Sequence, residues 1–450
     1  MESNRLKVET STPIVQFARP FQEFAARETS GGILLFIATV AALVWANSAW
    51  SESYQALWHT PISISVAGYA LEHDLHFLVN DALMAVFFFV VGLEIKRELL
   101  VGELASPRQA ALPIMAAIGG VLAPALIFSF FNAQGPGSRG WGVPMATDIA
   151  FVIGVMALLG DRVPLGLKVF LTALAIVDDI MAVLVIAVFY TSAISLPAVA
   201  AAAVCFGVLV LANYLGVRSV LVYGLFGTLL WLAVLQSGIH ATIAGVILAI
   251  AIPSRTEIDA PRFLRHSRAV LDHFERSVNS EQSVLNDEEQ QGAIDALEDT
   301  CEKAQPPLHR LIETLHPWVT FVIMPLFALA NAGVNLGGDL LASLREPVTL
   351  GVLLGLLVGK PLGITAASWL AVKLRLAELP AEIRWSHIHG AGWLGGIGFT
   401  MSLFVAALAF GDEDLLGEAK LGILGGSLLA GILGSAFLLR ERRPLQQEKS

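Results

Sequence analysis

Residues 169–190 read VFLTALAIVDDIMAVLVIAVFY, an apolar stretch with two adjacent aspartates, Asp178 and Asp179, near its centre. A membrane-spanning helix needs about 20 predominantly apolar residues, so this stretch is long enough to cross a bilayer. A charge at the centre of such a helix costs roughly 2.5–3.5 kcal/mol on insertion scales. The stretch therefore predicts a membrane helix whose two carboxylates have a functional role.

The composition of the whole chain is that of a membrane protein. Of its 450 residues, 55% are hydrophobic and 15% are charged, whereas soluble domains carry about 25% charged residues. Much of the acid behind the net charge of -10 lies between residues 281 and 302, and no basic surface for nucleic acid is expected. With Cys205 and Cys301 as the two cysteines, neither a disulfide framework nor a thiolate metal site is expected.

Apolar segments of spanning length recur along the chain and predict an all-α membrane protein with about 12 transmembrane helices. These segments are 31–49, 78–95, 109–131, 143–160, 165–190, 196–215, 217–236, 239–253, 317–335, 346–372, 387–410 and 420–439.

The loops between these segments divide the lysines and arginines unevenly. All but four of the 28 lie on the side that holds both termini, and short loops rich in these residues face the cytoplasm. We therefore expect both termini in the cytoplasm. The predicted organisation is an N-terminal arm, spans one to eight, a long cytoplasmic loop, spans nine to twelve and a cytoplasmic tail, at residues 1–28, 29–254, 255–314, 315–440 and 441–450.

Two stretches outside the predicted spans carry local patterns. In the long loop, Phe263, Val270, Leu271, Phe274 and Val278 recur at helical spacing, which predicts one or two amphipathic helices. Residues 59–75 alternate between apolar and polar side chains, which predicts a short external hairpin.

Two predicted spans, one in each half of the chain, contain helix-breaking residues. The first, WGVPMATDIAFVIG (141–154), has Gly142 and Pro144 just before Thr147 and Asp148. The second, GAGWLGGIGFTMSLF (390–404), includes three closely spaced glycines, Gly395, Gly396 and Gly398. Glycine and proline destabilise helix interiors, and freed backbone groups at membrane depth are tolerated only inside protein or beside a watery cavity. Interrupted spans in corresponding positions of two halves point to the binding site of an inverted-repeat transporter.

The informative charged residues of the predicted spans are Asp81, Glu94, Asp148, Asp178, Asp179 and Lys360. Successive helix residues are about 100° apart, so the two adjacent aspartates cannot face one partner, and Lys360 is the natural partner for one of them. Crowded buried carboxylates cannot all stay ionised, so each takes up either a proton or a small cation. This competition is the minimal chemistry of a proton/cation exchanger. Alkali cations favour oxygen ligands such as carboxylates, the Thr147 hydroxyl and freed carbonyls.

At these residues the chain resembles the NhaA family of sodium/proton antiporters. The matching stretches follow the family's order and include PMATDIAFVIGVMALLGDRVP (144–164), ALAIVDDI (173–180), GKPLGI (359–364) and GIGFTMSLF (396–404). Their combination is specific, and the resemblance covers residues from about 20 to 440. It implies an inverted-repeat antiporter fold with two discontinuous helices that cross.

The resemblance also implies an activity and individual roles. The activity is electrogenic exchange of internal Na⁺ or Li⁺ for external H⁺, by a protein that is not an enzyme and needs no cofactor and no metal besides the transported ion. Asp179 is implied as the central acid that binds the ion and the proton, and Asp178 as the partner of Lys360. Thr147 and Asp148 lie at the first break, where Asp148 compensates the positive helix ends.

Regulation by pH through a cytoplasmic cluster is a further implication of the resemblance. By position this cluster comprises Glu94, Lys96, Arg97, Glu98 and Glu313, and His316 matches the family pattern. His240 is another candidate, with polar packing at a span end as the alternative. The family also implies a bacterial inner membrane and a homodimer formed through residues 59–75. The long loop, which adjoins this cluster, departs from the usual family form.

Three other classes of protein fit the sequence less well than an antiporter does. A sodium-coupled organic-solute symporter on a related fold needs a larger pocket with more polar or aromatic lining. An intramembrane aspartyl protease needs its two aspartates on facing helices, whereas Asp178 and Asp179 are adjacent. A channel is disfavoured because a lysine among competing carboxylates suits slow exchange better than rapid permeation.

Overall fold

The described part of the chain is almost entirely helical, as the sequence predicts. The computed structural model describes residues 29–66, 69–191, 193–277, 288–337, 340–380 and 382–441, so the predicted N-terminal arm and residues 442–450 of the tail lie outside it. The helices are α1 (Thr29–Ala46), α2 (Ser51–Trp58), α3 (Leu75–Val101), α4 (Pro107–Asn132), α5 (Ile149–Leu159), α6 (Leu165–Phe189), α7 (Leu196–Tyr214), α8 (Val220–Leu235), α9 (Ile243–Ala251), α10 (Ala260–Ser277), α11 (Glu288–Ala304), α12 (Pro307–Asn331), α13 (Pro347–Lys373), α14 (Trp385–Gly395), α15 (Phe399–Ala409) and α16 (Glu413–Arg440).

Within these described ranges, eight helices are long and apolar enough to cross a membrane, or up to ten if two bent helix pairs each count as one span. The bent pairs are α1 with α2, at 116°, and α14 with α15, at 48°. The all-α membrane fold is therefore confirmed, while the count of twelve spans stays a prediction.

One compact unit is formed by the described residues of 1–80, 98–190 and 320–450. Its central contact runs between α4 and α13, where small residues let the two backbones touch. A Cβ atom on either Gly119 or Gly363 would overlap the backbone of the other. Helix α6, which carries Asp178 and Asp179, also packs against α4, and both aspartates are buried.

The second compact unit is formed by residues 81–97 and the described residues of 191–319. Helices α7, α8 and α9 pack together around an apolar core that includes Leu93, Leu230 and Ile252. The long loop forms two helices, α10 and α11, that pack against each other, so the prediction of amphipathic helices there is confirmed. Of the residues behind that prediction, Phe263, Val270 and Phe274 are half-buried and Leu271 is exposed, while Val278 lies outside the described residues.

The short hairpin is also confirmed, while its position on the external side stays a prediction. Strands β1 (Pro61–Val66) and β2 (Tyr69–Asp74) pair antiparallel, with Pro61 opposite Asp74 and Val66 opposite Tyr69. At its end, the Asp74 side chain accepts a hydrogen bond of 2.8 Å from the Phe77 backbone N–H and thereby caps the start of α3.

Two predicted segment boundaries differ from the structure. The segment 239–253 contains only the nine-residue helix α9, because Ser237–Thr242 form turns in which Gly238 has a φ of 82°. Helix α12 begins at Pro307, well before the predicted ninth span and inside the predicted loop 255–314. Proline is well suited to the first turn of a helix, so Pro307 marks the true start.

Candidate ion-binding site

The first predicted helix break is present between the 3₁₀ helix Pro136–Met145 and α5. Residues Ala146, Thr147 and Asp148 are not helical. Gly142 and Pro144 both lie in the 3₁₀ segment that precedes the break. Asp148 is the N-cap of α5, since its Oδ1 accepts a hydrogen bond of 3.1 Å from the Phe151 backbone N–H.

The second predicted break separates α14 from α15. Gly395 is the last residue of α14, and Gly396, Ile397 and Gly398 connect it to α15. A Cβ on Gly398 would lie 2.9 Å from the Ala146 carbonyl oxygen, so the absence of a side chain allows the two breaks to approach. The five predicted helix-break residues thus all lie in or beside the two breaks.

The two breaks bond to each other and satisfy backbone groups that the helices leave unpaired. The Asp148 backbone N–H donates to the Ile397 carbonyl at 2.7 Å. The Thr147 hydroxyl lies 2.8 Å from the Gly395 carbonyl oxygen, and the Ser402 hydroxyl donates to the Val143 carbonyl at 2.8 Å. Because buried backbone groups must be paired in a membrane, these contacts hold the breaks in place.

Asp148 stabilises both helices that begin at the crossing. Besides capping α5, its Oδ2 accepts a hydrogen bond of 3.0 Å from the Thr400 backbone N–H and a second from the Thr400 hydroxyl. Helix N-termini carry about half a positive charge each. A single buried carboxylate therefore lies at two positive helix ends, the position that the family resemblance implies.

Lys360, Asp178 and Thr147 form a buried cluster. Lys360, on α13, forms an ion pair with Asp178 on α6 and donates to the Thr147 hydroxyl at 2.9 Å. The Thr147 hydroxyl also lies 2.6 Å from Asp178 Oδ2. Lys360 is 0% exposed and Asp178 2%. A π-helical turn at Gly355–Gly359 directly precedes Lys360, and such turns are frequent at functional sites.

Two more buried acids, Asp179 and Asp148, directly follow Asp178 and Thr147 of this cluster in the sequence. Asp179 is 3% exposed and Asp148 1%, so three buried carboxylates accompany the single buried Lys360. Asp178 Oδ1 has no hydrogen-bond partner among the described residues. A buried charge needs a compensating charge or proton. This carboxylate oxygen, near hydroxyl and carbonyl oxygens, can therefore bind a hard cation or a proton.

Among the predicted pH-response residues, Glu94 and His316 are brought together. His316 Nδ1 lies 3.4 Å from Glu94 Oε1. Lys96 has a different set of partners, because its ammonium donates to backbone carbonyls at the C-terminal end of α9, including Ile250 at 2.7 Å. A cation there complements the negative end of the helix. These contacts indicate that Lys96 secures α9.

The remaining candidates for pH response are held by local contacts. Glu98 accepts a hydrogen bond of 3.1 Å from the Glu103 backbone N–H, and Glu313 lies 3.4 Å from His309 on its own helix. His240 Nδ1 lies 3.0 Å from the Thr242 hydroxyl, and its Nε2 lies 3.8 Å from Asp81. Arg97 lies on α3, one helical turn after Glu94. Glu98, Glu313 and His240 thus each contact a residue outside the Glu94–His316 pair.

Several residues of the site were not among the sequence-based candidates. Thr400 binds Asp148, Ser402 binds the Val143 carbonyl, and the Ser427 hydroxyl accepts a hydrogen bond of 3.1 Å from the Phe399 backbone N–H at the start of α15. Hydroxyl residues beside a helix break are a usable signal for Thr400 and Ser402. Ser427 lies on α16, and no local pattern connects it to the break.

A multi-helix membrane protein whose two broken helices meet beside buried acids and a buried lysine belongs to the class of secondary transporters. Within that class, the chain belongs to the family described as Na⁺/H⁺ antiporter 1, whose profile matches residues 22–438.

Relatives of the chain carry the same description, and each is covered nearly end to end. A Na⁺/H⁺ antiporter NhaA of Oleidesulfovibrio alaskensis is 53% identical over 96% of this chain and 97% of its own length. One of Koribacter versatilis is 50% identical over 95% and 93%, and one of Acidithiobacillus ferrooxidans 49% identical over 94% and 98%. The NhaA resemblance seen in the sequence is confirmed.

Proposed function

We propose that this protein exchanges Na⁺ for H⁺ across a membrane and that Asp178, Asp179, Asp148, Thr147 and Lys360 form the transport site. The observation that carries the proposal is the buried surplus of carboxylates over lysine where two broken helices meet. Its relatives, which are named as Na⁺/H⁺ antiporters, agree with it.

Exchange follows from competition for the same oxygen atoms. A buried carboxylate is neutralised either by a bound proton or by a nearby cation, so arrival of Na⁺ releases protons and arrival of protons releases Na⁺. Asp179 is the acid that binds the ion, while Asp178 is engaged with Lys360 and Thr147. When the site is open to only one side of the membrane at a time, each cycle carries Na⁺ in one direction and H⁺ in the other.

The helix breaks supply the rest of the site. The backbone is irregular at both breaks because of Gly142, Pro144, Gly395, Gly396 and Gly398. Carbonyl oxygens that a continuous helix would use in its own hydrogen bonds are therefore available at the site, together with hydroxyl oxygens. Asp148 offsets the two positive helix ends that would otherwise repel an arriving cation. We propose that more protons than sodium ions cross in each cycle, so that transport is electrogenic, and that Li⁺ is also exchanged.

The expected setting is a bacterial inner membrane with both termini in the cytoplasm. The distribution of Lys and Arg among the loops supports this orientation. We expect a homodimer formed through the β1–β2 hairpin, where an exposed strand edge can pair with a second copy.

Everted membrane vesicles that contain the protein provide the test. After respiration has acidified their interior, added NaCl is expected to release protons and restore the fluorescence of a pH-gradient dye. Vesicles without the protein serve as the control. Sodium uptake that depends on an organic solute and moves no proton would instead support the symporter.

For pH regulation, we propose that the Glu94–His316 contact is the part of the cytoplasmic cluster that responds to pH. The Glu94 carboxylate stabilises the protonated imidazole, so Glu94→Gln is expected to let His316 lose its proton at lower pH. The family resemblance implies that exchange switches on as the pH rises, so the pH of half-maximal exchange should then fall by about half a unit, the effect of a partly exposed ion pair. Exchange by purified protein in liposomes, measured between pH 6 and 9, checks this.

Glu313→Gln is the matched control, because Glu313 lies on the same helix as His316 and contacts His309 instead. Its activity profile should match that of the unsubstituted protein. Equal shifts in the two variants, or no shift in Glu94→Gln, would mean that the response to pH resides elsewhere. The Asp81–His240 pair is then the next candidate.

A further inference from the structure

A chain of hydrogen bonds joins α14 to α13 outside the ion-binding cluster. The Trp393 indole N–H donates to His389 Nε2 at 3.2 Å, and His389 Nδ1 lies 3.1 Å from the Thr365 hydroxyl. That hydroxyl donates in turn to the Pro361 carbonyl at 2.6 Å. The four groups lie within one compact unit of the protein.

The donors and acceptors in this chain define one form of His389. An indole N–H is a donor only, so Nε2 must accept and the ring hydrogen must lie on Nδ1. The Thr365 hydroxyl has a single hydrogen, which it gives to Pro361, so it accepts from Nδ1. With a neutral His389, every donor in this series of hydrogen bonds has an acceptor. All the hydrogen bonds point the same way, from the Trp393 indole to the Pro361 carbonyl.

Both helices joined by this chain contribute to the ion-binding cluster. Pro361 directly follows Lys360, and Gly395 ends the helix that carries His389 and Trp393. The helices approach closely at Gly392, where a Cβ would lie 2.8 Å from the Pro361 Cα. The His389–Thr365 hydrogen bond joins the two helices about one turn from this approach, so it opposes rotation of one helix about the other.

We propose that His389 is a positioning residue for ion exchange. By bridging Trp393 and Thr365, it fixes the rotation of α14 on α13, so that the Gly395 carbonyl and the Lys360 ammonium both reach the Thr147 hydroxyl. This inference rests on the proposed transport site. It adds that the geometry of the site, and hence its affinity for Na⁺, depends on side chains that never touch the ion.

The affected quantity is the KM for Na⁺ rather than the maximal rate. Loss of an ordinary hydrogen bond shifts an equilibrium by about fivefold, and a rotated α14 would move the Gly395 carbonyl away from Thr147. His389→Leu and Thr365→Val are each expected to raise the KM for Na⁺ about fivefold with a maximal rate close to that of the unsubstituted protein. Thr365→Ser keeps the hydroxyl and should retain the original KM.

The experiment measures Na⁺-dependent proton movement in liposomes, with rates normalised to the amount of reconstituted protein. The double variant His389→Leu/Thr365→Val is expected to resemble either single variant, because both substitutions break the same chain. A Thr365→Val KM equal to that of Thr365→Ser, or a loss of rate without a change in KM, would overturn the positioning role. Absence of exchange in the unsubstituted protein would instead refute the proposed function itself.

Discussion

Asp179→Asn is expected to reduce Na⁺-dependent proton exchange by on the order of 100-fold or more. Asparagine has nearly the size of aspartate, but its amide neither ionises nor takes up a proton at neutral pH. The site then loses the charge that attracts Na⁺ and the group that alternates between ion and proton. Removal of one partner from a buried charge pair costs about 3–5 kcal/mol, which corresponds to a factor of at least 100 in binding.

The role of Asp179 also follows from what its neighbour does. Asp178 forms the ion pair with Lys360 and contacts Thr147, so its charge is committed to protein partners. Adjacent helix residues point about 100° apart, and Asp179 therefore faces different surroundings from Asp178 while being equally buried. We therefore propose Asp179, as the family resemblance implies, for the acid that binds the transported ions.

Asp412→Asn is the matched control for this measurement. Asp412 is exposed and caps α16 through hydrogen bonds from the backbone N–H groups of Asp414 and Leu415. Asparagine is as good an N-cap as aspartate, so this variant should exchange at the original rate in everted vesicles. Normal exchange by the Asp179→Asn variant would mean that another carboxylate binds the ion, and Asp178 would be the first to test.

The helix breaks were predictable because their causes are local. Pro144 and the glycines at 395, 396 and 398 cannot sustain regular helix in the middle of a span, and Asp148 before an apolar run is a recognised helix-start signal. The contact between the two breaks was harder to predict from the sequence. The bond from Asp148 N–H to the Ile397 carbonyl joins residues about 250 positions apart. The sequence connected the two segments only through their corresponding positions in the two halves and through the resemblance.

The break before α9 and the early start of α12 show where hydropathy misleads. Residues 239–253 are mostly apolar, yet the Ser237 hydroxyl donates to the Val234 carbonyl and accepts from the Ile239 N–H, which favours a turn over a helix. The Ser237–Gly238 dipeptide was the available signal. In α12, the residues after Pro307 are amphipathic, so a search for apolar segments begins ten residues too late.

The partner of Lys360 illustrates the limit of helical geometry. The 100° between adjacent helix residues excluded a lysine that faces both aspartates. It could not show whether Asp178 or Asp179 is the partner of Lys360. The choice depends on how α13 lies against α6, and a π-helical turn at Gly355–Gly359 sets the angle at which Lys360 leaves its helix. The sequence of this turn, glycine, leucine and valine, does not show that the turn contains one extra residue.

Lys360→Met is expected to lower the free energy of unfolding by about 3–5 kcal/mol, because it leaves the buried Asp178 carboxylate without its cation. Methionine has a similar length and fills the apolar part of the space, so the charge and not the volume is what changes. The Thr147 hydroxyl also loses a donor. Purified protein in detergent should unfold several degrees below the unsubstituted protein in a thermal melt followed by tryptophan fluorescence.

The double variant Asp178→Asn/Lys360→Met separates a charge effect from a packing effect. Replacing both members of a buried ion pair by neutral groups is often neutral or stabilising, so most of the lost stability should return, and exchange need not return with it. If the double variant is as unstable as Lys360→Met alone, the lysine stabilises the fold through the packing of its stem and its bond to Thr147. A stable Lys360→Met variant would mean that Asp178 binds a proton when the lysine is absent, which would make it a second proton site beside Asp179.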